Sequence, residues 1–115
     1  MGKESKKVII GIVAKHREED KDLIRQDSRI RDEVKQAIFD NGGTAIGILS
    51  PNEKVQMAGD DWLIYDKFLD KENIIKQIEL CDGIILQGGN TNESYEPFIA
   101  RYCYENNIPC LGICA

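Results

Sequence analysis

The sequence predicts an α/β domain of the flavodoxin-like kind: a parallel sheet with helices on both faces, incomplete at its C-terminal end. Three observations predict it. Short, nearly continuous apolar runs alternate with stretches of helical period. Turn-forming residues separate the two kinds. The resulting order is strand, helix, strand, helix, strand, helix, strand, the pattern of crossover units that build parallel sheets.

Residues 8–14 (Val8, Ile9, Ile10, Gly11, Ile12, Val13, Ala14) form the first apolar run, which reads as a strand buried on both faces. The charged stretch 16–27 reads as a loop leading into a helix. From Ser28 the apolar positions Ile30, Val34, Ala37 and Ile38 make a helical stripe, closed by Asn41-Gly42-Gly43. Residues 44–49 form a second buried strand, stopped by Ser50-Pro51. Residues 52–69 hold Met57, Trp62, Tyr65 and Phe68 without a clean period. The three aromatics pack against the sheet edge, the reading adopted, or form part of a partner surface. Asp70 is placed to cap a helix with Ile74, Ile75, Ile78 and Cys81 facing inward. Asp82-Gly83 then turns into a third strand, 84–87. A helix over 94–106 tolerates Pro97 because that residue falls in its first turn. Asn107-Ile108-Pro109 leads to a fourth strand, 110–113.

That fourth strand needs cover on both faces if it lies inside the sheet, and no helix follows it in these 115 residues. Two readings meet this. It is an edge strand with one covered face, or the chain is the N-terminal part of a longer domain. The second is the expectation adopted.

Composition narrows the function. With 15 basic and 20 acidic residues the net charge is −5, and no basic stripe suits a nucleic-acid partner. Hydrophobic residues at 42% and charged residues at 30% suit a folded globular domain, not a disordered one. The longest apolar run is too short to span a bilayer and is followed by Lys15, His16 and Arg17, which do not suit a signal-peptide cleavage site. A cytoplasmic protein with no membrane partner is expected. The cysteines are Cys81, Cys103, Cys110 and Cys114, and the single histidine is His16. No four of these residues have zinc-ligand spacing. Cys110 and Cys114, roughly 13 Å apart along a strand, are too distant for a disulfide. Free thiols, mostly in the core, are expected.

Ligands of open parallel sheets bind beyond the carboxyl ends of the strands. Here those ends hold residues 14–17, Ser50, residues 87–92 and Cys114. Cys114 stands on a turn leaving a strand, where a helix N-terminus lowers a thiol pKa and the next N–H can face an oxyanion. Gly-x-Cys alone equally fits a core cysteine at a strand end. Gly88-Gly89 permits a tight turn with N–H groups aimed at a carbonyl or phosphate, although a plain strand-to-helix turn uses glycine as readily. Neither phosphate-binding glycine motif occurs. His16 reads as a solvated loop residue, and Asp60-Asp61 as a solvated turn.

Three blocks occur in order: a helix, Gly-Gly and a strand ending in Pro over residues 32–51; Asp82-Gly83-Ile84-Ile85-Leu86-Gln87-Gly88-Gly89-Asn90 followed by Tyr95-Glu96; and Asn107-Ile108-Pro109-Cys110-Leu111-Gly112-Ile113-Cys114-Ala115. Together they resemble the class I glutamine amidotransferase-like superfamily, especially its gamma-glutamyl-gamma-aminobutyrate hydrolase and gamma-glutamyl hydrolase branch. The resemblance runs from Val8 to the end. It implies that residues 1–115 are the N-terminal part of one such domain, and that the complete protein is a cofactor-free cysteine hydrolase of small gamma-glutamyl amides. Cys114 would form a gamma-glutamyl thioester. Gly89 and the Ala115 N–H would supply the oxyanion hole, with Gly88 and Asn90 bordering the substrate. The family's second elbow glycine would follow Ala115, and its catalytic His and acid also lie beyond that point. His16 does not match that histidine. The 115-residue chain is therefore expected to be nearly inactive alone. The alternative is a non-catalytic module that binds a small metabolite or pairs with another subunit, for which a homodimer is expected.

Overall fold

In a computed structural model, residues 7–16, 28–50, 70–88 and 95–113 are described. Four strands make the main sheet: β1 (Ile9–Val13), β4 (Thr44–Ile48), β5 (Gly83–Leu86) and β6 (Cys110–Gly112). Two shorter ones, β2 (Lys15–His16) and β3 (Ser28–Arg29), pair antiparallel beside it. The helices are α1 (Asp32–Asp40), α2 (Lys71–Ile78) and α3 (Tyr95–Glu105). The sheet order is β4-β1-β5-β6, with every neighbour parallel. Counting only the main sheet in chain order gives 2-1-3-4, the flavodoxin-like order. The fold class read from the sequence is the one observed.

Alternation along the strands divides the apolar residues between two faces. On one face Val13, Ile48 and Ile84 meet Ile74 and Ile78 of α2 and Ile99 and Cys103 of α3, all fully or almost fully buried. On the other face Val34, Ala37 and Ile38 of α1 border a groove together with Ile10 and Ile85. Opposite directions of travel across the sheet account for this: the step from β1 to β4 runs one way and that from β5 to β6 the other, so right-handed crossovers put α1 and α3 on opposite faces.

Local chemistry fixes each element. The Asp70 carboxylate accepts the Asn73 N–H at 3.1 Å, the cap read from the sequence. α1 ends where Gly42 adopts φ +82, while the Gly43 N–H returns to the Ile38 carbonyl at 2.9 Å. At the amino edge Asp82 brackets Ile9: its side chain accepts the Ile9 N–H at 2.8 Å, and its own N–H donates to the Ile9 carbonyl at 2.7 Å. At the carboxyl edge Gln77 treats Leu49 like a neighbouring strand, accepting its N–H at 2.8 Å and donating to its carbonyl at 2.7 Å.

Close approach governs Gly11. A Cβ there would lie 2.7 Å from the Cys81 sulfur and 3.0 Å from Ile48. Gly11→Ala is expected to destabilise the fold by about 1–3 kcal/mol, read as a lower urea midpoint at unchanged m-value. An unchanged midpoint would show that α2 can retreat from β1 without cost.

The structure corrects three expectations. Ser28 does not start a helix, because Ser28 and Arg29 pair with His16 and Lys15 and the helix begins only at Asp32. The same pairing makes Lys15–His16 strand, where a loop was expected from residue 16. The fourth strand is not buried: Cys110, Leu111, Gly112 and Ile113 are all exposed, since β6 is the sheet edge and α1 covers only the far side of the face that Leu111 shares. An open apolar groove of about 490 Å³ results, bounded by Ile10, Ile85, Leu111 and Ile113 and by α1. Cys110 is therefore exposed; with Cys81 half-buried beside Gly11, only Cys103 of the described cysteines is a core residue. Met57, Asp60, Asp61, Trp62, Tyr65 and Phe68 lie outside the described residues. No helix among the described residues is long and apolar enough to cross a membrane.

Candidate functional site

In this strand order the direction of travel reverses between β1 and β5, where open sheets form their ligand crevice. The carboxyl ends of these two strands are joined by side chains that the sequence left without a role. Gln87, just past β5, is 4% exposed. Its carbonyl oxygen accepts the Arg31 N–H at 2.8 Å, and its amide donates to the Val13 carbonyl at 2.8 Å and the Arg29 carbonyl at 3.0 Å. One side chain thus ties β1, β3 and the start of α1 to the end of β5. It also satisfies the N–H of Arg31, the residue that precedes α1 and supplies no capping side chain.

Tyr95, the first residue of α3, donates its hydroxyl to the Ala14 carbonyl at 2.6 Å. Next to it Glu96 pairs with Lys15 at 3.4 Å, both side chains being largely buried. The end of β5 and the start of α3 are therefore both anchored to the segment leaving β1. The sequence places Lys15 among the strand-end residues and Tyr95 in the motif blocks, without assigning either a partner. A usable signal existed for Gln87: an amide closing a buried apolar strand must find partners, because leaving it unpaired is costly.

Gly88 is half-buried, two residues beyond the end of β5. Leu86 pairs with Gly112, and its carbonyl accepts the Ile113 N–H at 2.9 Å. The chain leaving β6 thus runs beside the chain leaving β5. Gly89, Asn90, Cys114 and Ala115 lie outside the described residues. His16 lies on β2, which continues from the carboxyl end of β1.

The three described thiols are poor nucleophiles. Burial, then the neighbouring Asp82 charge, pushes Cys81 up, and its thiol donates to the Gln77 carbonyl at 3.6 Å. Cys103 is pushed up to about 12 by burial and by Cys110. Cys110, although an exposed residue, is raised by partial desolvation of its sulfur, opposed by the neighbouring Cys103 thiol. All three are protonated at neutral pH, whereas the thiolate is the reactive form.

Cys103 should leave a pH signature. Its folded pKa lies above the ordinary 9.0, so its stabilising contribution is complete below that value and is lost as pH rises from there through about 12. Between about pH 8 and about pH 11, Cys103→Ala is expected to lose less stability than the wild type in urea titrations. Parallel losses would contradict the assignment.

Among the described residues no group of three or more His, Cys, Asp or Glu side chains could hold a metal ion. No protein-family model matches the chain, and no solved structure does. Similarity to curated proteins is partial. The chain is 47% identical over 47 residues to CTP synthase of Chlamydia trachomatis serovar L2, covering 39% of this chain and 9% of that protein. The CTP synthase of Chlamydia muridarum gives the same identity and coverage. That of Syntrophus aciditrophicus is 40% identical over 63 residues, 49% of this chain and 12% of that protein. The matched part spans about a tenth of the length of these relatives.

Proposed function

We propose that the complete protein cleaves gamma-glutamyl amide bonds through a cysteine thioester, with residues 1–115 forming the N-terminal part of a class I glutamine amidotransferase-like domain. The observation that carries this reading is the neighbouring exit of β5 and β6 at the carboxyl edge, with Gly88 ending one and Ile113 leading out of the other. A nucleophile and an oxyanion site must approach one carbonyl from adjacent strand ends, and this pair of exits suits both. The partial similarity to CTP synthases supports the superfamily without singling out the gamma-glutamyl hydrolase branch.

In the proposed reaction the Cys114 thiolate attacks the gamma-carbonyl carbon. The Gly89 and Ala115 N–H groups take up the negative charge on the carbonyl oxygen, and Gly88 and Asn90 border the substrate. Collapse of the tetrahedral species breaks the C–N bond, and the nitrogen leaves with the proton taken from the thiol. Water then attacks the thioester, releasing glutamate and restoring the thiol. By the resemblance, the His that carries the proton and its acidic partner belong to the chain beyond Ala115. Gln87, Tyr95 and the Lys15–Glu96 pair hold the backbone on either side of the oxyanion turn.

The test is substrate selectivity of the full-length protein. Glutamine and gamma-glutamyl anilides should release ammonia or amine, while alpha-glutamyl anilides should not. Equal cleavage of both linkages, or of neither, would overturn the reading.

A second reading, a non-catalytic subunit-pairing module, rests on the open groove at Leu111 and Ile113. It proposes a homodimer closed over that face. Sedimentation showing a monomer at high concentration would count against it.

A further inference from the structure

The turn from α3 to β6 brings two cysteines together. Asn107 takes the left-handed conformation, φ 55, and the Ile108 N–H donates to the Cys103 carbonyl at 2.9 Å. The chain therefore doubles back on Cys103 itself before β6 begins at Cys110. Cys110 pairs with Ile84, and paired residues of a parallel sheet point to the same face. Ile84 faces the core cluster that contains Cys103, so Cys110 faces it too. The two thiols are thus on one face at the same sheet edge, near enough for each to shift the other's titration.

We propose that Cys103 and Cys110 form a reversible disulfide that fastens the edge strand β6 to α3. Their exposure assigns the order of events. Cys110 is exposed at the sheet edge, whereas Cys103 is fully buried behind it. The reachable thiol reacts first and the buried one resolves. The oxidant is a low-molecular-weight disulfide. Cys110, as thiolate, attacks one of its sulfurs, forming a mixed disulfide and releasing one thiolate, which takes up a proton. Cys103 then loses its proton and attacks the Cys110 sulfur, expelling the second small thiol. Two protein thiols are oxidised by two electrons, and one small disulfide is reduced to two thiols. Cys81 has a separate engagement, with the Gln77 carbonyl, beneath Gly11.

The test incubates the folded full chain with glutathione disulfide, blocks free thiols, and maps the cysteines by mass spectrometry. Cleavage after Arg101 and Glu105 separates Cys103 from Cys110. The expected result is a Cys103–Cys110 link that dithiothreitol reverses and that persists in Cys114→Ser, which assigns it to Cys110. Cys103→Ala should instead stop at glutathione on Cys110. A link through Cys81 or Cys114, or a lasting glutathione adduct on Cys110 in the wild type, would overturn the proposal. The wild-type map decides the matter even if a variant folds poorly.

Discussion

Cys114→Ala in the complete protein is expected to abolish release of ammonia or amine from gamma-glutamyl amides, a drop of about 10⁴-fold or more, with substrate binding retained. The thioester route has no substitute for the sulfur: without it the oxyanion donors stabilise a charge that no attack creates. Binding survives because the groups bordering the substrate, Gly88 and Asn90 by the resemblance, are untouched. Each described thiol is held protonated, by burial or a neighbouring charge, so none should replace Cys114. Turnover by the purified alanine variant, compared with isothermal binding of glutamine, checks the prediction. Unchanged turnover would remove Cys114 from the mechanism.

The second large effect concerns Gln87. Gln87→Leu removes three hydrogen bonds and leaves the Arg31 N–H and the Val13 and Arg29 carbonyls without their partner. Water reaches the arginine backbone more easily than that of buried Val13, so the full cost of three orphaned groups does not apply. A loss of about 2–4 kcal/mol is expected from urea unfolding. Gln87→Glu gives a sharper check. A carboxylate can accept from Arg31 but sets its charge against two carbonyl oxygens, so the introduced Glu should have a folded pKa above its unfolded value of about 4.3. The stability of this variant relative to wild type should therefore be best below that unfolded value and fall as pH rises through the folded one. A deficit independent of pH would show that the amide does not donate to these carbonyls.

The strands were legible because burial on both faces leaves a continuous apolar run, as in Ile9–Val13 and Gly83–Leu86. α2 was legible from Asp70 and from isoleucines at helical spacing, and Pro97 did not argue against α3 because it falls in the first turn. The β2–β3 pair was not, since two-residue strands carry no period and are defined by each other. Nor was the exposure of β6: Cys110, Leu111 and Gly112 read alike whether or not a helix covers them. The polar bracing of the crevice escaped for a different reason. Gln87 reaches residues 56 to 74 positions away, and Tyr95 reaches Ala14 across 81, so only the folded sheet brings them together. Of the site read from the sequence, Gly88 lies just past β5, while Gly89, Asn90, Cys114 and Ala115 fall outside the described residues.

The most direct measurement is covalent labelling of the full-length protein with an electrophilic glutamine analogue, followed by peptide mapping. The account predicts one adduct, on Cys114, formed at neutral pH and suppressed by glutamine. An adduct on Cys81 or Cys110, or labelling of Cys114 that glutamine does not protect against, would contradict it.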